Sequence, residues 1–322
     1  MTITPKLDGL DQEISQGKSI KGSGPPANGP RRRGWIAYIF IAPAVIYLAV
    51  FVLAALAKGI ALSFTDTRLL NPSGGNFVGA DNYKGLITSS QFWDSIAVTL
   101  VYTVATVFFA LIIGTAAAVL VNRPFRGRAL FRAIMTLPYA VPTVAVTLIF
   151  IWIYNKESGV LNMGVEALGF GQVGWLTDPS FGMISVVLTT VWKVFPFVMI
   201  VMLAALQSVP DELFEATRVD GADGLSAFRA IVLPHILPTV RIVALLMTIW
   251  SIRRFEIIYL LTGGGPVKTT NTLVINIYNS AFTGQKLGVA AAMGVLGLFL
   301  SLGAAVIFSF LERRGAKKEG VA

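Results

Sequence analysis

The sequence predicts an all-α, polytopic membrane protein with six transmembrane helices. Three observations predict it. The 322 residues are 55% hydrophobic and 13% charged, with a mean hydropathy of +0.71, whereas a soluble domain carries nearer a quarter charged residues. Six apolar runs, at about 35–57, 95–121, 131–154, 182–206, 239–262 and 287–311, each reach or exceed the roughly 20 residues that cross a bilayer. Basic residues gather at the ends of these runs, so the formal charge of +9 sets membrane topology and does not mark a nucleic-acid partner. Backbone groups in lipid must pair internally, so all six runs are expected to be helices.

Residues 1–30 are rich in Gly, Pro, Ser and Lys and poor in large apolar side chains. They are expected to form a disordered cytoplasmic tail. The run that follows is too long for a cleaved signal and lacks a small-residue cleavage pattern. The six spans fall within 31–314, and 315–322 form a second short tail. With the N-terminus inside, the cytoplasmic side holds Lys6, Lys18, Lys21, Arg31, Arg32 and Arg33. It also holds Arg123, Arg126, Arg128, Arg132, Arg218, Arg229, Arg241, Arg313, Arg314, Lys317 and Lys318. Only Lys58, Arg68, Lys84, Lys156, Lys268 and Lys286 remain outside. This asymmetry places both termini in the cytoplasm, together with the connection between the fourth and fifth spans.

That connection, 207–238, is the one polar segment of helical character. Ser208 stands at N-cap spacing before Asp211 and Glu212, and Pro210 suits a first turn. Leu213, Phe214 and Val219 give the helix an apolar side. Asp220-Gly221 ends it, because Gly accepts the left-handed turn that closes a helix. Asp223 can cap a second helix carrying Leu225, Phe228 and Ile231, which Pro234 is expected to stop. Read alone, the stretch is also compatible with an amphipathic helix on the membrane surface.

Lys193, Arg253, Arg254 and Glu256 fall inside predicted spans. Charge at that depth faces a bundle interior or an aqueous path. The alternative is a buried ion pair, such as Glu256 with an arginine. The chain has no cysteine and a single histidine, His235, so thiolate and multi-histidine metal sites are excluded.

The 207–238 connection resembles the cytoplasmic loop of ABC-importer permeases: Glu-Ala-Ala, three residues, Gly, then nine residues to Ile-x-Leu-Pro. The matches are Glu215, Ala216, Gly221, Ile231, Leu233 and Pro234. Asp220, Ala222, Phe228 and Pro238 fit the sugar-importer version, and Thr217 departs from the second Ala. Further matches are the run from Phe77 to Tyr83, Leu137-Pro138 with Pro142, Gly159-x-x-Asn162, and Leu261-Thr262-Gly263-Gly264-Gly265-Pro266. The last is similar to the larger permease of the maltose importer and to glycerol-phosphate and lactose-type permeases. The glycine run lacks the Gly-Lys-Ser/Thr ending of a phosphate loop, and no Walker sequence occurs.

The resemblance covers roughly residues 35–312 and implies a type I ABC importer permease fold. It implies a permease subunit without its own ATPase site, in the bacterial plasma membrane. It implies no cofactor in this chain, ATP and Mg being held by the partner ATPase. The implied partners are a second homologous permease, two ATPase subunits and an extracytoplasmic sugar-binding protein, besides membrane lipid. The implied ATPase-docking residues are Glu215, Ala216, Asp220, Gly221, Ala222, Phe228, Ile231, Leu233 and Pro234. Matching on Trp192-x-x-x-Pro196-Phe197 places Lys193, Val194 and Phe197 on the substrate path. Matching on Phe255 and the Gly-Gly-Gly-Pro turn adds Met247, Ser251 and Arg254, with Glu256 beside them.

Arg254 departs from the amide of the maltose-type site. A guanidinium is a rigid fork of donors suited to carboxylate, phosphate or sulfonate. With Lys193 expected across the pore, this implies an anionic sugar: a uronate, a phosphorylated or a sulfonated one. The alternative is a neutral oligosaccharide. Phe195, Phe197, Trp192 and Trp250 suit either sugar stacking or packing. Two rivals are an ion-coupled secondary transporter, for which only Glu256 supplies a membrane acid, and a membrane scaffold that transports nothing.

Overall fold

The computed structural model describes residues 34–210, 226 and 228–318. The chain divides into two units, residues 1–56 and 57–322. In the first, α1 (Gly34–Tyr47) passes through a π-helical turn, Leu48–Leu53, into α2 (Ala54–Leu62). Tyr38–Leu62 is long and apolar enough to cross a bilayer. Pro43 lies inside α1, where a missing N–H loosens the hydrogen-bond ladder.

The second unit continues with α3 (Asp81–Ile87), α4 (Ser90–Asn122), α5 (Arg128–Ala140), α6 (Thr143–Ile153), α7 (Val160–Ala167) and α8 (Pro179–Gln207). A π-helical turn, Phe228–Val232, runs into α9 (Leu233–Ile252). Then follow α10 (Glu256–Thr262), α11 (Leu273–Tyr278), a π-helical turn at Asn279–Thr283, and α12 (Leu287–Lys318). The described residues form helices, with only isolated β-bridges.

Five helical stretches are continuous candidate spans, and α5 with α6 makes the sixth as a pair bent by 97°. The third predicted span, 131–154, is therefore interrupted. Pro138 and Pro142 flank the bend; neither can donate a backbone hydrogen bond, and Val141, before Pro142, is extended as such residues must be (φ −70°, ψ 137°). The fifth predicted span, 239–262, is displaced. Its helix runs over Phe228–Ile252, breaks at 253–255 and resumes as α10. Pro234, expected to stop a helix, instead lies inside the continuous helix, just past the π-helical turn where α9 begins. The predicted tails, and Glu215, Ala216, Asp220, Gly221 and Ala222, lie outside the described residues.

α8 is the centre of the unit, with 72% of its span window buried. It crosses α4 closely at Gly114, where a Cβ would stand 2.5 Å from Val198 Cβ and 3.0 Å from the Phe195 carbonyl. Small residues at such crossings let backbones approach in lipid. Val107 and Ala110 of α4, Val198 and Met202 of α8, and Ile236 and Val243 of α9 share one apolar cluster. α5 and α9 both pack on α8, and the second halves of the two broken spans, α6 and α10, pack on each other.

Two loops are tied by amides. Asn82 Nδ2 donates to the carbonyls of Ser63 (2.9 Å) and Thr65 (2.8 Å), and Tyr83 shares a 2.6 Å hydrogen bond with Ser63. Asn162, almost wholly buried, uses its whole side chain. Its Nδ2 donates to the carbonyls of Lys156 and Val173, both at 2.9 Å. Its Oδ1 accepts from Val173 N–H at 3.0 Å and Trp175 Nε1–H at 3.1 Å.

Candidate functional site

The two interruptions define the site. Lys193 is the middle residue of Pro179–Gln207, so it sits near mid-membrane. The α5 end needs a donor there. In a continuous helix the Pro138 carbonyl would accept from residue 142, but that residue is Pro142 and has no N–H. Lys193 Nζ donates instead to the carbonyls of Pro138 at 3.1 Å and Tyr139 at 3.0 Å, and to that of Val141. It also lies 5.8 Å from the centre of the Tyr139 ring. A cation at a helix C-terminus is favoured by the helix dipole. The ammonium is engaged by three backbone carbonyls within its own subunit. The Pro138/Pro142 spacing was the signal in the sequence, marking a carbonyl that must find a donor elsewhere.

The second interruption lies at the same depth. Arg254 and Glu256 are within electrostatic reach of Lys193, and Arg254 is within reach of Tyr102. Here Arg254 N–H closes a tight turn on the Ser251 carbonyl at 3.1 Å. Arg253 and Glu256 are exposed and Arg254 is half-buried. Arg254 Nε is buried and meets no acceptor, and Ser251 Oγ is likewise buried and without a partner. The alternative, a Glu256–arginine pair, is not seen among the described residues, where Lys84 and Asp81 form an exposed ion pair at 3.3 Å. Around the break the helices are joined by hydroxyls. Tyr102 bonds Thr190 at 3.0 Å, and Tyr154 donates to the Ser185 carbonyl at 3.0 Å.

The predicted path residues thus divide. Lys193, Val194, Met247 and Ser251 are buried within the subunit, and Val194 and Met247 belong to the α4–α8–α9 apolar cluster. Phe197, Arg254 and Glu256 reach the surface. The Phe197 ring lies 5.0 Å from Trp250 and 6.1 Å from Tyr139. Trp192 packs edge-on against Phe150 at 5.3 Å, and Phe195 is buried.

Of the predicted docking residues, Phe228 and Ile231 form the π-helical turn below α9, and Leu233 and Pro234 its first turn. Phe228 packs against the apolar cluster. The Ser208 hydroxyl closes α8 by donating to the Ala205 carbonyl at 2.8 Å, and it lies 3.3 Å from His235 Nε2. The foot of α9 is therefore joined to the end of α8.

Residues 107–317 match the family described as binding-protein-dependent transport system inner membrane component. A sulfoquinovosyl glycerol transport system permease protein of Agrobacterium fabrum is 33% identical over 267 residues, covering 83% of this chain and 87% of the relative. A trehalose/maltose transport system permease protein of Thermococcus litoralis is 31% identical over 277 residues, covering 86% and 93%. Among solved structures, a bacterial ABC transporter involved in import of the acidic polysaccharide alginate contains a chain of the same fold. It aligns with a TM-score of 0.76 at 24% identity, over 88% of this chain and 96% of that one.

Proposed function

The chain belongs to the family of binding-protein-dependent transport system inner membrane components, and from that premise we propose that it is the permease subunit of an ABC importer for an anionic sugar or sugar derivative. The observation that carries the charge of the cargo is Arg254. It stands at an interrupted span with its Nε buried and without an acceptor. An arginine at that depth calls for neutralisation. Glu256, two residues on, would point about 200° away on a continuous helix, and it forms no ion pair among the described residues. Lys193 is engaged elsewhere. Arg254 is then the cation that meets a carboxylate, phosphate or sulfonate of the cargo. Relatives named for sulfoquinovosyl glycerol and for trehalose/maltose differ in cargo charge, so the argument rests on Arg254 itself.

A second, homologous permease completes the pore, and an extracytoplasmic binding protein delivers the sugar. Two ATPase subunits carry the ATP and Mg chemistry. One of them docks on Glu215, Ala216, Asp220, Gly221 and Ala222, together with Phe228, Ile231, Leu233 and Pro234. The last four stand at the foot of α9, so a push there moves the helix that ends beside Arg254.

Arg254→Gln keeps hydrogen-bond donors and removes the charge. Uptake by the reconstituted importer is expected to lose ten- to hundredfold in apparent affinity at the transport step, roughly 1.5–3 kcal/mol for a charged hydrogen bond. Sugar binding to the soluble receptor is expected to stay unchanged. Normal uptake in Arg254→Gln, or a receptor that prefers a neutral disaccharide, sinks the anion reading and leaves a neutral-oligosaccharide permease. Orientation has its own measurement. An alkaline phosphatase fusion after Lys268 is expected to be active, as it is only outside the cytoplasm, and one after Gly224 inactive; the reverse pair overturns the topology.

A further inference from the structure

We propose that Phe255, Tyr259, Tyr278 and Phe282 form a stacking track that carries the sugar rings of the cargo from the outer face to the interruption beside Arg254. The proposal rests on the sugar-import reading above. The four side chains come from three elements. Phe255 and Tyr259 stand four residues apart at the start of α10, with ring centres 4.9 Å apart and planes within 18°. Tyr278 ends α11 and lies 5.0 Å from Phe255 and 4.8 Å from Tyr259. Phe282, in the π-helical turn that follows, continues the row 4.8 Å from Tyr278. The Tyr259 and Tyr278 hydroxyls are 3.4 Å apart.

The row is mounted rigidly. Leu273 N–H, at the start of α11, donates to Thr99 Oγ1 of α4 at 2.8 Å. Asn276 reaches Ser95 at 3.3 Å and accepts from Gln91 at 3.2 Å. Phe255 packs against the apolar cluster that includes Tyr154 and Ile258, but the row beyond it is open. Phe282 is 55% exposed and Tyr259 36%, so ring surface stays open in this chain.

Lipid is a poor occupant for that surface. Arg253 and Glu256, which bracket Phe255, are exposed and form no ion pair among the described residues. Charge at membrane depth faces protein or an aqueous path. Glu256 and Tyr259 are three residues apart on α10, and so share a helix face. A pyranose fits such a surface, laying its C–H face on the rings while its hydroxyls meet water, Tyr259 and Tyr278. Below the break the aromatic row resumes, with Trp250, Phe197 and Tyr139 in contact. In the chain, Arg254 falls between Trp250 and Phe255.

The test uses the complete importer in proteoliposomes with its binding protein. The probe is the best-transported member of a radiolabelled panel of neutral and anionic sugars that includes maltose, trehalose, glucuronate and sulfoquinovosyl glycerol. Tyr278→Leu with Phe282→Leu keeps apolar bulk and removes the rings. Sugar taken up per ATP hydrolysed is expected to fall about tenfold, with receptor-stimulated hydrolysis near the wild-type rate. Tyr278→Phe, which keeps the ring and loses only the hydroxyl, is expected to lose less uptake per ATP hydrolysed than the double leucine variant; an equal loss overturns the track. Unchanged uptake overturns the track, and so does a parallel fall of uptake and hydrolysis, which marks rings that only pack or anchor the subunit at the interface. Either result leaves sugar import standing. A wild-type importer that takes up no sugar overturns the import reading and the track together.

Discussion

Lys193→Met is expected to leave the subunit unable to hold its fold. The substitution keeps the length of the side chain and removes the donor that three carbonyls share. Those of Pro138, Tyr139 and Val141 would then face a thioether at mid-membrane. Hydrogen bonds to a charged group contribute roughly 1.5–3 kcal/mol each, and breaking a buried charged contact costs about 3–5 kcal/mol. Against a total stability of about 5–15 kcal/mol, that is a large share. The measurement is the heat-induced loss of the monodisperse peak of the detergent-solubilised importer. Pro142→Ala added to Lys193→Met returns a backbone N–H to the Pro138 carbonyl, so the double variant is expected to recover part of the loss. A cation that only lined the pore would behave differently: Lys193→Met would keep wild-type thermal stability and lose uptake alone.

Asn162→Ala is expected to cost about 3–4 kcal/mol, from four hydrogen bonds at roughly 1 kcal/mol each. The side chain holds residues 156–175 by two donated and two accepted bonds. The loop has little room to readjust. At Gly159 a Cβ would stand 2.3 Å from the Asn155 carbonyl oxygen, and Asn155 Oδ1 is already taken by the N–H groups of Glu157 and Ser158. Asn162→Asp sharpens the test. It keeps the acceptor but turns a carboxylate oxygen toward the carbonyls of Lys156 and Val173, so it is expected to be no better than Ala. Protease sensitivity of the 154–178 segment and the thermal midpoint are the readouts. A wild-type midpoint in both variants would show that the four bonds add nothing net.

The membrane class, the spans and the family were legible because hydropathy and the Glu215 to Pro234 spacing are local signals. The interruptions were not. An apolar window averages across a three-residue break such as Arg253–Phe255, and Pro234 reads equally well as the end of one helix or the first turn of the next. Lys193 was legible as a buried charge but not as a helix cap, because its acceptors lie 52–55 residues away in the chain. Met247 was drawn to the path by resemblance, and its packing in the cluster shared by α4, α8 and α9 shows only once the helices are brought together. Asn162 was visible as part of a motif, and its four bonds only appear once 156 and 173–175 are brought around it.

The broken fifth span has a mechanical consequence. Phe228–Ile252 is a helix of 25 residues, about 37 Å long at 1.5 Å per residue, whose π-helical turn, Pro234 and Pro238 all lie in the half that a thrust applied at its foot meets first. The thrust ends at a three-residue joint. Beyond it, α10 is latched to α6, itself the far side of the joint in the third span. A stroke at the foot of α9 is therefore expected to flex both joints together. Coupled joints of that kind predict that stiffening one break, at Pro142 or at 253–255, also holds the other.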